Sequence, residues 1–229
     1  MKKGDKRRQR KARSSQPERP RHTTRTASPR RVLREARSYP IEGCWTFPDW
    51  QQLGMAPVVL ARRQPNGDIA FGVYLVDFFL LGVKDTWFNV NVPRHQFHRE
   101  ILPHILNDEP FEISPALAHE MIYGSIDYAS QFGFPPHSDF RQTRYLLDLP
   151  ETHPRSGEAV FGYEGKPYYI QGPNDNPEAI LRRLERTVGA GNYLFMVGGP
   201  PPDDWDEVPD EWDDETDELD NTSSEQDQA

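Results

Sequence analysis

The sequence predicts an α+β fold, and three observations carry that expectation. Strand-like runs come first, between about residues 57 and 92, and helix-like runs follow from 93 to 132. The spacing of apolar residues changes at that crossing from every second position to every third or fourth. A doubly wound sheet would instead alternate the two kinds of element along the chain.

The first cluster of large apolar side chains is Cys44, Trp45, Phe47 and Trp50, which places the start of the domain near Tyr39. Residues 57–64 read as a strand. Pro65-Asn66-Gly67-Asp68 then turns the chain, because Asn-Gly accepts positive φ at both positions. The return strand starts at Ile69 and is almost continuously apolar to Leu81, so both of its faces should be buried. Residues 82–85 can turn it again. From 86 to 92 the pattern alternates, with Phe88, Val90 and Val92 on one face and Asn89 and Asn91 on the other. The three strands form an antiparallel meander.

Pro93 opens a helix with Phe97, Ile101 and Ile105 at four-residue spacing, which Pro103 should kink or end. A better-signalled helix begins at Ser114-Pro115, an N-cap residue followed by proline at the first helical position. Ala118, Ile122, Ser125, Ala129 and Phe132 form its buried seam, and Gly133 stops it. A second hairpin is expected at 159–163 and 166–170 around Glu164-Gly165. A third helix should run from Asn176-Pro177 through Ile180, Leu184 and Val188 to Gly189. Residues 192–197 offer a closing strand.

Charge divides the chain into three. Residues 1–37 hold 15 Lys/Arg against three acids, a net of +12. Residues 203–229 hold 14 Asp/Glu and no base, and the middle carries a net of −7. The whole-chain pI near 5.3 and mean hydropathy of −0.82 therefore describe no actual region. Tails so charged and so poor in aliphatics cannot offset their ordering entropy. The expected organisation is a disordered basic tail over 1–37, an α+β domain over 38–200 and a disordered acidic tail over 201–229. One cysteine, Cys44, excludes an intramolecular disulfide and points to a reducing, cytoplasmic setting. No apolar h-region follows the basic start. The longest apolar stretch, 69–83, contains Asp77 and is shorter than the ~20 residues of a membrane helix.

Asp77 is the most informative single residue, since a carboxylate flanked on both sides by apolar residues is costly to bury without an answering group. One reading makes it a metal ligand or general base with Asp85. The other makes it half of a buried ion pair with Lys84 or an arginine, or a strand edge that meets water. A second set is His119 and Glu120 on the well-capped helix, with His137 and Asp139 in the following loop. These are suitable ligand types for zinc, manganese or iron. Tyr123 stands where a zincin motif would have its second histidine, and His137-Ser138-Asp139 also reads as turn chemistry. His95 and His98 lie on one helix with no third ligand nearby. Cys44 has no evident base, and no Gly-x-Ser-x-Gly, Walker or other cofactor signature is present. Lys166, Tyr168 and Tyr169 offer a stacking surface, with one tyrosine directed into the core.

The tails point more clearly. Lys2, Lys3, Lys6, Arg7, Arg8, Arg10, Lys11 and Arg13 form a dense basic arm able to neutralise phosphates without reading sequence. Trp205 and Trp212 each sit among acids in the C-terminal tail, as a motif that docks in a basic, apolar groove of a protein partner or covers the arm itself.

Three stretches, 72–85, 113–120 and 133–140, together resemble a family of uncharacterised bacterial proteins. The resemblance implies a bacterial, cytoplasmic setting and no particular activity. An Asp in an early meander before a helix also resembles ribonuclease-H-like nucleases, although their Asp stands on the first strand and 57–64 has none. The leading expectation is a non-enzymatic module that associates with RNA or the ribosome through its basic arm, tuned by the acidic tail. The rival is a metal-dependent hydrolase or nuclease built from Asp77, Asp85, His119, Glu120, His137 and Asp139. A third reading is a protein-interaction scaffold working through both tails.

Overall fold

The computed structural model describes residues 27–198 except Asp108. Residues 1–26 and 199–229, with the expectation that they are disordered, lie outside the described residues. The fold is α+β, with a five-stranded antiparallel sheet, helices on both of its faces, and a small two-stranded sheet.

The chain begins with α1 (Pro29–Glu35), followed by a 3-10 turn. β1 (Ile41–Thr46) leads through a short α2 (Trp50–Leu53) to β2 (Met55–Arg63), β3 (Ile69–Asp77) and β4 (Gly82–Val92). α3 (Arg94–Gln96) runs through a π turn at Phe97–Ile101 into α4 (Leu102–Ile105). β5 (Phe111–Ile113), α5 (Pro115–Gln131) and α6 (Phe140–Thr143) follow. β6 (Tyr168–Ile170), α7 (Pro177–Val188) and β7 (Leu194–Met196) complete the described chain. The sheet order is β4-β3-β2-β1-β5, so the expected meander gains β1 and β5 on one side.

Alternation along the strands splits the core. Leu60, Tyr74 and Val76 face α5 and meet Ala118, Met121 and Ile122, all fully buried. Val59, Phe71 and Val73 face the other way and meet Phe97, Leu102 and Leu106. Each such aliphatic or aromatic side chain contributes about 1.5–3 kcal/mol by leaving water. The whole expected seam of α5 is buried, Ser114 Oγ caps Leu117 N–H at 3.1 Å, and Gly133 ends the helix at φ 79°. Asn176 caps α7 in the same way.

Five expectations need correction. The domain boundary at 38 falls too late, because α1 packs Val32, Leu33 and Ala36 against Ala70, Val90 and Leu146. The 64–68 turn is wider than a two-residue loop. Only Gly67 has positive φ, while Asn66 Oδ1 accepts from Asp68 N–H. β3 ends at Asp77 and not Leu81, because the Asp77 carboxylate accepts from Phe79 and Leu80 N–H and bends the chain, so β4 starts at Gly82. The even face of β4 breaks at Asn91, whose φ of 56° sends Val90 and Val92 into different clusters. The second hairpin is only a stub. Tyr163 and Lys166 bridge around Glu164-Gly165, both at positive φ. Its arms then donate to the 78–81 turn, Gly162 N–H to Phe78 O and Tyr168 N–H to Phe79 O, and β6 pairs in parallel with β7.

Candidate functional site

The polar residues singled out from the sequence do not converge. Asp77 is buried, and its Oδ1 lies 2.9 and 3.0 Å from the amides of Phe79 and Leu80. Burial pushes its carboxyl up to about 6, against the pull of those amides and the Lys84 charge. Lys84 itself pairs with Asp175 at 2.9 Å. Asp85 is exposed and bonds the neighbouring Thr86 N–H. Glu120 is buried and ties down the 156–157 loop, accepting from Ser156 N–H and Oγ and from Gly157 N–H. Burial works to raise its carboxyl, but those bonds prevail and hold it below its ordinary value. His137 and Asp139 share an exposed turn, where the histidine Nδ1 accepts from Asp139 N–H at 3.3 Å. Of the two tyrosines, Tyr169 is core and Tyr168 stacks on Phe79. Cys44 is buried, which pushes its thiol up to about 12 and leaves it inert.

Several other polar residues serve one segment, 143–148, which continues from the end of α6 and packs Leu146 beside α1 and Leu147 beside α5. Its amides up to Leu147 bond to backbone carbonyls of the preceding turns, and its carbonyls find partners among side chains. Tyr74 OH donates to Thr143 O, Arg62 Nε to Leu146 O, Arg37 Nε to Leu147 O and Tyr123 OH to Asp148 O. His119 Nδ1–H donates to Pro115 O at 2.6 Å, and its Nε2 accepts from Asp148 N–H at 2.9 Å. Both ring nitrogens are thus in use, and burial holds this imidazole neutral, below its usual pKa.

The segment ends in a charge cluster that sequence reasoning missed. The Asp148 carboxylate takes Arg62 Nη2 at 2.5 Å and His153 Nε2 at 2.9 Å, and the His153 ring lies 4.3 Å from that of His119. Burial works to raise the Asp148 carboxyl, but His153 and Arg62 bring it below its ordinary value. His119, Asp148 and His153 each bring a ligand atom within 4.8 Å of the others. A metal would need the His119 Nε2 lone pair, which already faces the Asp148 amide, so the donor set suits a structural tie better than a cation. Two signals were legible. Arg62 follows an apolar run from Pro57 to Ala61, and Asp148 and His153 flank a turn at Pro150.

A basic surface covers the end of the sheet near the 64–68 turn. On α1, Arg30 and Arg34 are exposed and, with Leu33 and Tyr145, line a groove of about 360 Å³. Arg37 lies over the Tyr145 ring, 5.8 Å from its centre. Around the same end, Arg94, His95, His98 and Arg99 line a wider cleft of about 630 Å³ with the turn residues Asn66, Gly67 and Asp68. Arg94 and His98 are steadied by Glu42, whose side chain is 5 % exposed. Burial alone would raise the Glu42 carboxyl, but His98 and Arg94 hold it below its ordinary value. Ala27, where the described chain takes over from the basic arm, lies between these clefts and accepts from Asn91 Nδ2.

A scan of protein-family models, a search of curated proteins and a search of solved structures each found no match to this chain. Among the described residues, no helix is long and apolar enough to cross a membrane.

Proposed function

We propose that the protein is a non-enzymatic module that associates with nucleic acid, RNA or the ribosome, in a bacterial cytoplasm. The observation that carries this reading is the groove of Arg30, Leu33, Arg34 and Tyr145 on the helix that continues directly from the basic arm. Exposed guanidinium groups answer phosphates, and an exposed tyrosine beside them accepts a stacked base. The arm and the folded surface then act as one contact. The acidic tail, tethered to the same domain, competes for it at high effective concentration.

The hydrolase reading is weaker on chemical grounds. Asp77, Glu120 and His119 spend their polar atoms on backbone groups, and His137 and Asp139 sit together on a different loop. The test is a fluorescence-anisotropy titration of a labelled single-stranded RNA with the intact protein and two charge-reversal pairs. Arg30→Glu with Arg34→Glu should weaken binding at least about tenfold, as two phosphate contacts become repulsions. Arg182→Glu with Arg186→Glu makes the same charge change on α7, beside the 78–81 turn, and should change affinity far less. Equal losses from both pairs would reduce the groove to bulk charge and defeat the reading.

A further inference from the structure

The small sheet is packed on one face and open on the other. Its strands run parallel in the register Tyr168 with Leu194, Tyr169 with Phe195 and Ile170 with Met196. Alternation turns Tyr169 into the core, where it meets Leu184 of α7. Tyr168, Ile170, Leu194 and Met196 therefore share the opposite face, on which Ile170 is exposed and Met196 is 57 % exposed. That face continues into the 78–81 turn. The Tyr168 ring stacks on Phe79 with centres 5.7 Å apart, and the exposed Tyr163 lies 5.6 and 5.3 Å from those two rings. Phe79 in turn packs over Gly54, between the exposed Leu53 and Met55. Contiguous apolar side chains left open to water mark a docking surface.

We propose that the occupant of this face is the chain's own segment 203–212, which lays Trp205 and Trp212 on it. What points to that segment is the place where the described chain stops. β7 is its last element, Met196 and Val197 stand exposed at the end of that strand, and Gly198 leads directly toward the two tryptophans. Gly198-Gly199 allows the backbone to reverse, since neither residue has a Cβ, and Pro200-Pro201-Pro202 forms a short stiff spacer. Trp205 stands seven residues beyond Gly198, a reach of up to about 25 Å, and the face begins on β7 itself. In an extended Asp204-Trp205-Asp206, alternation sends the indole to the sheet and both carboxylates to water. Tyrosine rings and the Met196 thioether are favourable partners for an indole. The inference does not depend on the nucleic-acid reading. It bears on it in one respect, because the 78–81 turn and the basic end lie at opposite ends of β3. A docked segment is withheld from the basic clefts, which limits the competition described above.

The experiment is hydroxyl-radical footprinting of the full chain, with oxidation at single residues read by mass spectrometry. Trp205 and Met196 should both be oxidised severalfold more slowly than in the urea-unfolded protein. Trp205→Ala with Trp212→Ala should raise Met196 oxidation severalfold. Met121, fully buried on α5, should stay protected in that variant and so report an intact domain. In the reciprocal variant, Ile170→Asp with Met196→Asp, two charges occupy the face and Trp205 oxidation should rise to the unfolded rate. The tryptophan pair lies outside the described fold, so it tests docking even where the face substitutions unfold the domain. Met196 oxidation unchanged by loss of both tryptophans would overturn the inference. So would Met196 protection that fades on dilution in step with a change from dimer to monomer, since a second copy would then be the occupant.

Discussion

Asp77 shows how one buried group can have two opposed effects. Its oxygen organises the turn at 78–81, yet its charge is disfavoured, and the carboxyl rises from an ordinary 3.8 to about 6. The folded chain therefore holds this proton more tightly than the unfolded chain does. The stability from that proton is fully present below pH ~4 and is lost as pH rises through about 6, a change of about 3 kcal/mol for two pKa units. Asp77→Asn keeps the acceptor for Phe79 and Leu80 and abolishes the titration. Urea denaturation at several pH values should find the variant gaining on the native protein by up to that amount between pH 4 and 7. A difference that stays constant across the range would mean that the carboxyl is not buried as described. His119 and Asp148 act in the other direction, because both have lowered pKa values and lose their contribution on acidification. The cost of burying Asp77 was legible from its neighbours, but its partner was not. Backbone amides two and three residues ahead leave no mark in side-chain patterning.

Among the elements, those with strong local signals were readable. Ser114-Pro115 and Asn176-Pro177 announced α5 and α7, and Gly133 ended α5. α1 carries the same Ser-Pro signature at Ser28-Pro29, but its three arginines masked it, since composition over 1–37 outweighs the apolar Val32, Leu33 and Ala36. Those three decide the matter, because they close the cluster around Ala70, Val90 and Leu146. Val32→Ala should therefore cost about 2 kcal/mol, whereas Arg30→Ala on the exposed side should stay within about 0.5 kcal/mol. Chemical denaturation measures both. If neither variant shifts the transition, α1 is not part of the folded unit. β5 and the parallel pair β6-β7 were harder to foresee. Each is only three residues long, and its partner lies far away in sequence, so no local period specifies it. Segment 143–148 has no readable period, and beside its own turn hydrogen bonds and the buried Leu146 and Leu147 it is tied to the rest of the fold by Arg37, Arg62, Tyr74, His119 and Tyr123.

At the scale of the whole molecule, charge is segregated. The net −7 over 38–200 coexists with a basic end at which the arm joins α1 and several of the clefts lie. The division into basic arm, domain and acidic tail was plain in the sequence. That the folded surface continues the arm was not, because Arg30, Arg34, Arg94, Arg99 and Tyr145 come from three separate stretches. That they share one end of the sheet, in separate clefts, is a consequence of topology. The hairpin turn at 64–68 and the exit from β4 bring α1 and α3 to the same end of the sheet. On the proposed reading, this end of the molecule binds nucleic acid by neutralising phosphates. The most direct measurement is the affinity of the intact protein for a single-stranded oligonucleotide across a series of salt concentrations. The logarithm of the binding constant should fall linearly with the logarithm of salt, by about 0.7 for each phosphate neutralised. Replacing Arg30 and Arg34 with Gln should flatten that slope by roughly 1.4, the share of two phosphates. An affinity indifferent to salt, or a slope that the double substitution leaves unchanged, would contradict the claim.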